Sequence, residues 1–227
     1  MYIAKHFELS ADEVGRLLSS VPTAQLIVAY PEGPEATLLP FEYVPDADGL
    51  GSLHLHVTRI NPVWKTPGLG EALAVISGAD AYVTPEWFPG YPEQAQVPTW
   101  NYSTVHAYGC LIVHDDAEWC RSAVTRLSAL HGYDTAVVDQ SALDIMLRSV
   151  VGLELKLTRV LGKGKLSQNK ATDVISSVAA GLRSRGGASD IAVADDMTRI
   201  SLPHAAARQE LVEGIRAEHQ LGLARPT

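Results

Sequence analysis

Alternating hydrophobic and polar positions between residues 24 and 114 predict a series of short β-strands. The clearest run is SLHLHVT at 52–58, where leucine or valine occupies every second position. Because successive side chains of a strand point to opposite faces, the apolar residues form a buried face, and His54 and His56 share the other face. Comparable runs, separated by turns rich in Gly and Pro, lie at 24–30, 36–44, 72–78, 81–87 and 103–114.

Helical spacing of apolar residues marks three other regions. The segment ELSADEVGRLLSSV begins with Ser10 as an N-cap and Glu13 as its capping-box partner. Residues 115–132 carry an apolar stripe after an aspartate cap, and a second helix is predicted over 141–152. The chain from Lys170 onward is predicted to be helical, with breaks at RSRGGAS and ISLPH.

Together these elements predict an α+β fold. Six short strands without helices between them favour an antiparallel barrel or sandwich over a parallel sheet. After the second helix, LELKLTRVLGKGKLSQN alternates leucine with polar residues and predicts one further strand or hairpin. We therefore expect a barrel domain at 1–169, which includes the helical pair within 115–150, and a helical C-terminal extension at 170–227.

Composition and charge narrow the classes of function. Of the 227 residues, 46% are hydrophobic and 19% are charged, which supplies enough apolar surface for a globular core. The formal net charge is −8 and no basic stripe is present, so direct nucleic-acid binding is doubtful. No run approaches the roughly 18 apolar residues that a membrane helix needs. Since the N-terminus lacks the apolar segment of a signal peptide, we expect a cytoplasmic protein that does not bind membranes.

The histidine face of the 52–58 strand leads directly into the first candidate site, TRINPVWK. A neutral imidazole can ligate iron, or it can hydrogen-bond a flavin or a substrate. The arginine and the lysine that flank the Asn-Pro turn are suited to bind phosphate or carboxylate. The alternative is a structural turn with solvated charges. The candidate contacts in this stretch are His54, His56, Arg59, Asn61, Trp64 and Lys65.

A second candidate site combines VPTWNYSTVHAYG at 97–109 with KLSQNK at 165–170. Polar and aromatic residues alternate along the first stretch, which follows a proline-rich loop and therefore predicts the mouth of a ligand cleft. A solvent-facing strand is the alternative. The second stretch adds hydrogen-bond donors and a lysine. The candidate contacts here are Thr99, Trp100, Asn101, Lys165, Ser167 and Gln168.

Motifs that identify a reaction directly are absent. The sequence has no dinucleotide-binding glycine motif, no phosphate-binding Walker loop and no nucleophile elbow. The two cysteines stand in no zinc-like spacing. These absences leave the catalytic residues unassigned and favour a cofactor site built from several strands.

Taken in order, LHLHVTRINPVWK, GADAYVTPEWFPG, VPTWNYSTVHAYG and KGKLSQNK resemble the PaiB-type FMN-binding negative transcriptional regulators. The resemblance covers residues 1–185 and implies a split β-barrel of the flavin-reductase type. It also implies a homodimer with the cofactor near the subunit interface. The chain departs from the family pattern at several positions, including Leu55, where the family has a glycine between the two histidines, and Gly164, where the family has tryptophan.

The resemblance leaves more than one function open. The first is an FMN-binding regulator or flavin-dependent reductase in which Arg59, Lys65, Thr99 and Asn101 hold the phosphate and the polar atoms of the ring. The alternative cofactor is haem b, since the family includes haem-dependent enzymes similar to piperazate synthase, which closes an N–N bond in N-hydroxyornithine. In that case His56 is the axial ligand of the iron. The third is a cofactor-free binding protein.

Overall fold

The computed structural model describes residues 1–220, with side chains described through 216, and it confirms the α+β class. The strands in this part of the chain are β1 Thr23–Tyr30, β2 Gly33–Pro40, β3 Glu42–Val44, β4 Ser52–Thr58, β5 Ala72–Val83, β6 Thr99–His114 and β7 Val150–Lys165. The α-helices are α1 Ala11–Ser20, α2 Ala117–Leu130, α3 Gln140–Leu147, α4 Thr172–Arg185, α5 Ala188–Asp196 and α6 Leu202–Gln220. The last seven residues of the predicted C-terminal extension, 221–227, lie outside the described residues.

The strands form one sheet in the order β2-β1-β5-β6-β7-β4-β3. The pairs β1–β2, β1–β5, β3–β4 and β4–β7 are antiparallel. Because β2 and β3 lie at the two ends of this order, the sheet is not closed. An open antiparallel sheet with added helices agrees with the split β-barrel that the sequence predicts.

The strand boundaries in the structure differ from the predicted ones in two regions. The run at 36–44 forms two strands, β2 and β3. The runs at 72–78 and 81–87 instead form a single strand, β5, followed by a short 3-10 turn at Pro85–Trp87. Residues 78–80 include a glycine and an aspartate, which are depleted in strands, yet β5 continues through them.

The helix boundaries follow from local side-chain chemistry. Ser10 Oγ accepts a hydrogen bond from the backbone N–H of Glu13 at 3.3 Å, which confirms the predicted N-cap of α1. The predicted break at ISLPH is wrong, because a π-helical turn at Met197–Ser201 runs directly into α6. Pro203 has no N–H to donate, and it lies just after the π-helical turn, where the regular i→i−4 hydrogen-bond pattern is already interrupted.

By its contacts, the chain forms two compact units. The first unit contains Met1, Ser10–Ser77 and Thr104–Gly162, and the second contains Tyr2–Leu9, Gly78–Ser103 and the described residues from Lys163 onward. The predicted division at residue 170 stays a prediction. Among the described residues, no helix has both the length and the apolar character that crossing a membrane requires.

Each unit has its own buried apolar residues. In the first unit Leu53, Leu55 and Val57 are 0%, 1% and 3% exposed, which confirms the predicted apolar face of β4. In the second unit the C-terminal helices pack against the last residues of β5 and against the segment that follows this strand. This cluster includes Val83, Phe88, Leu166, Ile175, Val178, Leu182, Val193 and Met197.

Candidate functional site

His54 lies in a polar network between β4 and α2 in the first unit. Its Nδ1 accepts a hydrogen bond from Arg126 Nη2 at 2.8 Å, and Arg126 Nε donates to the Glu42 carboxylate at 2.8 Å. Burial lowers the pKa of His54 and outweighs the opposite effect of Glu154, so the ring is neutral near pH 7. One ring nitrogen is therefore engaged within the fold, and a cofactor contact by His54 stays a prediction.

The same network continues at Glu154 on β7. Its carboxylate accepts a hydrogen bond from Ser52 Oγ at 2.9 Å and pairs with His114 Nε2 at 2.9 Å. The His114 ring stacks on Trp119 with 4.2 Å between centroids. A Cβ at Gly152 would lie 2.2 Å from the Trp119 ring, so glycine is required where this tryptophan crosses β7.

We expect Glu154 to make the first unit sensitive to acid. Burial raises the pKa of this carboxyl, but the hydrogen bonds from His114 and Ser52 outweigh burial and hold the pKa below its usual range. Because the folded pKa is lower than the unfolded value of about 4.3, the stabilisation is present above that value. It is lost as the pH falls through the folded pKa.

Glu154→Gln should therefore lower the free energy of unfolding at neutral pH by roughly 1–2 kcal/mol. The difference from the unmodified chain should shrink as the pH falls from about 6 to about 3, measured by thermal unfolding. Glu118→Gln, in the exposed first turn of α2, is the control and should follow the unmodified chain. A constant difference between the Glu154→Gln and unmodified curves at every pH would contradict this prediction.

His56 differs from His54 in its surroundings. It is half-buried on β4, opposite Gly152 of β7, and burial lowers the pKa of its imidazole. Among the described groups, with side chains through residue 216, none is hydrogen-bonded to its ring. His56 is therefore neutral near pH 7 and neither ring nitrogen is engaged by the described residues, and its contact role stays a prediction.

Arg59 has internal partners in the structure. Nη1 and Nη2 donate to the two carboxylate oxygens of Asp115 at 3.0 and 2.6 Å. Nε donates to the carbonyl of Arg148 at 2.9 Å, and Nη2 also donates to the carbonyl of Val150 at 3.2 Å. The ion pair raises the pKa of Arg59 and lowers that of Asp115. This arginine joins three chain segments, and its predicted role as an anion ligand stays a prediction.

Of the other candidate residues of TRINPVWK, Asn61 stabilises the turn, whereas Trp64 and Lys65 line a cavity. Asn61 Oδ1 caps the turn by accepting a hydrogen bond from the N–H of Val63 at 2.9 Å. Trp64 Nε1 donates to the carbonyl of Arg59 at 3.0 Å, which fixes the indole. Lys65 is exposed, and its ammonium lies 5.6 Å from the centre of the Trp64 ring. Trp64 and Lys65 line the same cavity, and their contact with a ligand stays a prediction.

This first-unit cavity has a volume of about 470 Å³. Its walls are mainly apolar and aromatic, with one cation and one carboxylate. A Cβ at Gly68 would lie 2.5 Å from Val28 Cγ1, so glycine allows the loop to approach β1 here. The lining residues include Val28, Val63, Trp64, Lys65, Thr66, Gly68, Gly70, Glu71 and Cys110.

Several of these lining residues were missed in the sequence. The stretch TPGLGE at 66–71 was taken only as a turn, and Val28 and Cys110 belong to strands far away in the chain. The glycines were the available signal, since close approach of a backbone to a ligand or to another strand requires them. The strands that face this loop could not be identified from the sequence, because they depend on the order of the strands in the sheet.

In the second unit, the structure brings together both stretches of the second candidate site. Lys165 Nζ donates to Thr99 Oγ1 at 2.5 Å and to the carbonyl of Trp100 at 2.6 Å. The Trp100 side chain is exposed and meets Tyr82 edge-on, with 5.9 Å between ring centroids. Thr99 and Lys165 therefore face each other, whereas the Trp100 ring points away from this contact.

A buried polar pair lies beside Lys165. Asn101 Nδ2 donates to Ser167 Oγ at 3.1 Å, and Ser167 Oγ lies 3.2 Å from Asn101 Oδ1. Gln168 is also buried, and it holds the loop by accepting from Leu166 N–H at 2.8 Å and donating to the Gly164 carbonyl at 2.6 Å. Gln168 thus supports the loop that presents the other polar groups.

Lys165, Ser167, Thr99 and Asn101 line a cavity of about 200 Å³. Two phenylalanines, Phe7 and Phe88, form part of its walls, and neither was a candidate in the sequence. Among the side chains that the structure describes, those of residues 1–216, no group of three or more His, Cys, Asp or Glu is placed to hold a metal ion.

Comparison with known proteins identifies relatives over most of this chain. A family described as "Putative FMN-binding domain" matches residues 1–159. The Protease synthase and sporulation protein PAI 2 of Bacillus subtilis (strain 168) is 26% identical over 181 residues, which cover 75% of this chain and 83% of that protein. An uncharacterized protein of Saccharomyces cerevisiae is 30% identical over 149 residues, which cover 56% of this chain and 88% of that protein.

Solved structures with the same fold share little sequence. A conserved hypothetical protein from Mycobacterium tuberculosis matches with a TM-score of 0.52 at 14% identity, over 73% of this chain and 91% of that chain. A flavocytochrome from Azotobacter vinelandii matches with a TM-score of 0.51 at 13% identity, over 68% of this chain and 67% of that chain. At such identities the likeness establishes the fold alone.

Proposed function

We propose, because this chain belongs to the family of FMN-binding domains, that it binds FMN in the first-unit cavity and acts as a flavin-dependent reductase. The observation that carries the site assignment is the cavity of about 470 Å³ beside Trp64 and Lys65. Ligand pockets for molecules of cofactor size span roughly 300–1,000 Å³. The smaller cavity of the second unit lies below that range.

The residues of the first-unit cavity fit the two chemical parts of FMN. Val28, Val63 and Trp64 provide the apolar and aromatic surface that a planar ring system needs. Lys65 supplies a mobile ammonium for the phosphate. Because four hydrogen bonds engage the Arg59 guanidinium with other groups of the chain, we assign the phosphate to Lys65 and assign Arg59 to positioning the turn.

When bound, FMN supplies one- or two-electron redox chemistry. The chain's own contribution is to hold the phosphate at Lys65 and to cover one side of the cavity with Trp64, whose indole is fixed by its hydrogen bond to the Arg59 carbonyl. The net charge of −8 opposes direct contact with nucleic acid, so any regulatory role would act through the flavin. We further propose that the protein works as a homodimer.

Haem is the second candidate cofactor, with His56 as ligand of the iron. One observation favours it: the imidazole of His56 is half-buried and neutral, and within the described part of the chain it has no hydrogen-bond partner. A neutral imidazole is the form that ligates iron. The expected activity would then be N–N bond formation on an N-hydroxylated amine, as in the haem-dependent enzymes that the sequence resembles.

An FMN titration of the full-length protein, followed by flavin fluorescence and by absorption from 300 to 700 nm, separates these candidates. We expect FMN to bind, and Lys65→Met to weaken binding by about tenfold or more, since a hydrogen bond to a charged group contributes roughly 1.5–3 kcal/mol. Lys156→Met is the matched control, because Lys156 is an exposed lysine of the same unit outside the cavity. It should bind FMN as the unmodified protein does.

Two results would contradict the proposal. Equal FMN affinity in both lysine variants would overturn the site. A purified protein that shows a Soret band and does not bind FMN would overturn the cofactor in favour of haem, and His56→Ala should then abolish that band.

A further inference from the structure

The lining of the second-unit cavity is positively charged, although the whole chain has a negative net charge. The chain carries a net charge of −8, yet Lys165 and Lys170 both line this cavity, and none of its lining residues is an aspartate or a glutamate. Among the described side chains, those of residues 1–216, no carboxylate lies within ion-pair distance of the Lys165 ammonium. The cavity therefore presents positive charge that nothing in the described chain neutralises, which favours an anionic ligand.

The ammonium of Lys165 is held in place and keeps a donor for a ligand. Thr99 Oγ1 and the carbonyl of Trp100 accept two of its three N–H groups. Burial, and secondarily the charge of Lys163, lowers the pKa of Lys165, which means that its charged form lacks compensation. An anion at the third N–H would supply that compensation.

The polar side of the cavity is rigid. Asn101 is 1% exposed and is hydrogen-bonded to Ser167. Ser167 has φ of 68°, a left-handed conformation that a non-glycine residue adopts only when its surroundings hold it. Gln168 provides that support through its hydrogen bonds to Leu166 and Gly164. Strained backbone of this kind is concentrated at ligand sites, and here it presents a hydroxyl to the cavity.

The size and the walls of the cavity limit the ligand. A cavity of roughly 150 Å³ lined by apolar residues holds a benzene molecule. This cavity of about 200 Å³ has space for one such ring with a small charged group, and it is too small for a three-ring flavin. Phe7 and Phe88 supply apolar surface for the ring, and the Lys170 ammonium lies 5.5 Å from the centre of the Phe88 ring.

We propose that the second-unit cavity is a binding site for a small organic carboxylate of about the size of benzoate. Its carboxylate accepts a hydrogen bond from Lys165 and one from the Ser167 hydroxyl, which otherwise donates to Asn101 Oδ1 at 3.2 Å. Its apolar part packs on Phe7 and Phe88. The same cations would also attract inorganic phosphate, so the probes must separate the two kinds of oxyanion. This site does not depend on FMN binding, because the residues that form it all belong to the second unit.

The test is calorimetric titration of the full-length protein with benzoate, with neutral benzamide and with inorganic phosphate. Benzoate should bind with a Kd below about 1 mM, and benzamide should bind at least about tenfold more weakly because it has no charge. Lys165→Met should weaken benzoate binding by about tenfold or more. Lys5→Met, an exposed lysine of the same unit that does not line the cavity, should leave binding unchanged.

A second variant keeps the test valid if Lys165→Met fails to fold. Ser167→Gly removes the hydroxyl at a φ that glycine adopts without strain, so it should fold and still weaken benzoate binding by several-fold. Equal binding of benzoate and benzamide would overturn the proposal, as would a Kd for benzoate above about 1 mM. Binding of phosphate but not of benzoate would overturn the carboxylate assignment.

Discussion

Replacing Leu182 with alanine is expected to lower the free energy of unfolding by roughly 2–5 kcal/mol, the largest effect of any single substitution considered for this protein. Leu182 lies on α4 and is 0% exposed, within the second-unit cluster that includes Val83, Ile175 and Met197. Removal of its buried methyl groups leaves a cavity that close-packed neighbours fill only in part. Chemical denaturation followed by circular dichroism measures the loss.

Leu211→Ala on α6 is the matched control for this substitution. Its side chain is 64% exposed, so the same change in chemistry should alter stability by no more than about 0.5 kcal/mol. Equal effects of the two substitutions would show that the C-terminal helices do not share a core with β5 and the residues after it. The prediction therefore tests whether the predicted C-terminal extension is integral to the second unit.

Gly109→Ala should destabilise the first unit by roughly 3 kcal/mol. Gly109 lies on β6, and a Cβ there would approach the carbonyl oxygen of Lys156 on β7 to 2.2 Å. Because the obstacle is backbone of a neighbouring strand, a side-chain rotation cannot relieve the clash. The two neighbouring strands β6 and β7 would have to separate. Chemical denaturation should therefore show a lower unfolding midpoint for this variant.

Gly15→Ala on α1 is the contrasting control. No atom lies within 4 Å of a Cβ at Gly15, and alanine in a helix interior is more favourable than glycine by roughly 0.5–1 kcal/mol. The same substitution should thus stabilise at one position and destabilise at the other. Similar effects at both sites would mean that the strands β6 and β7 are less closely packed than the structure indicates.

Two of the candidate contacts that the sequence predicted lie together in the structure for a physical reason. Trp64 and Lys65 are neighbours in the chain, and they line one cavity together. Arg59 belongs to the same short motif, but its partner Asp115 is distant in the sequence. A guanidinium binds whichever acceptor the fold brings to it, so only tertiary structure shows that Arg59 is paired with Asp115. Its role as an anion ligand stays a prediction.

The two histidines of β4 illustrate the same limit. Alternation placed His54 and His56 on one face, which the structure confirms. Only the packing of α2 decides that His54 is hydrogen-bonded to Arg126 while His56 has no such partner among the described residues. The difference in their chemistry comes from a helix that begins about 60 residues later in the chain.

The sequence by itself determined the α+β class, the cap of α1, the buried face of β4 and the membership of most of the chain in an FMN-binding family. The class, the cap and the buried face follow from local propensity and from patterns that repeat every two or every 3.6 residues, so short segments contain them. The family membership follows instead from the ordered motifs that resemble the family. Tertiary structure alone decided the sheet order, the continuity of β5, the division into two units and the two cavities. Each of those depends on contacts between residues far apart in the chain, and such contacts leave no periodic trace in the sequence.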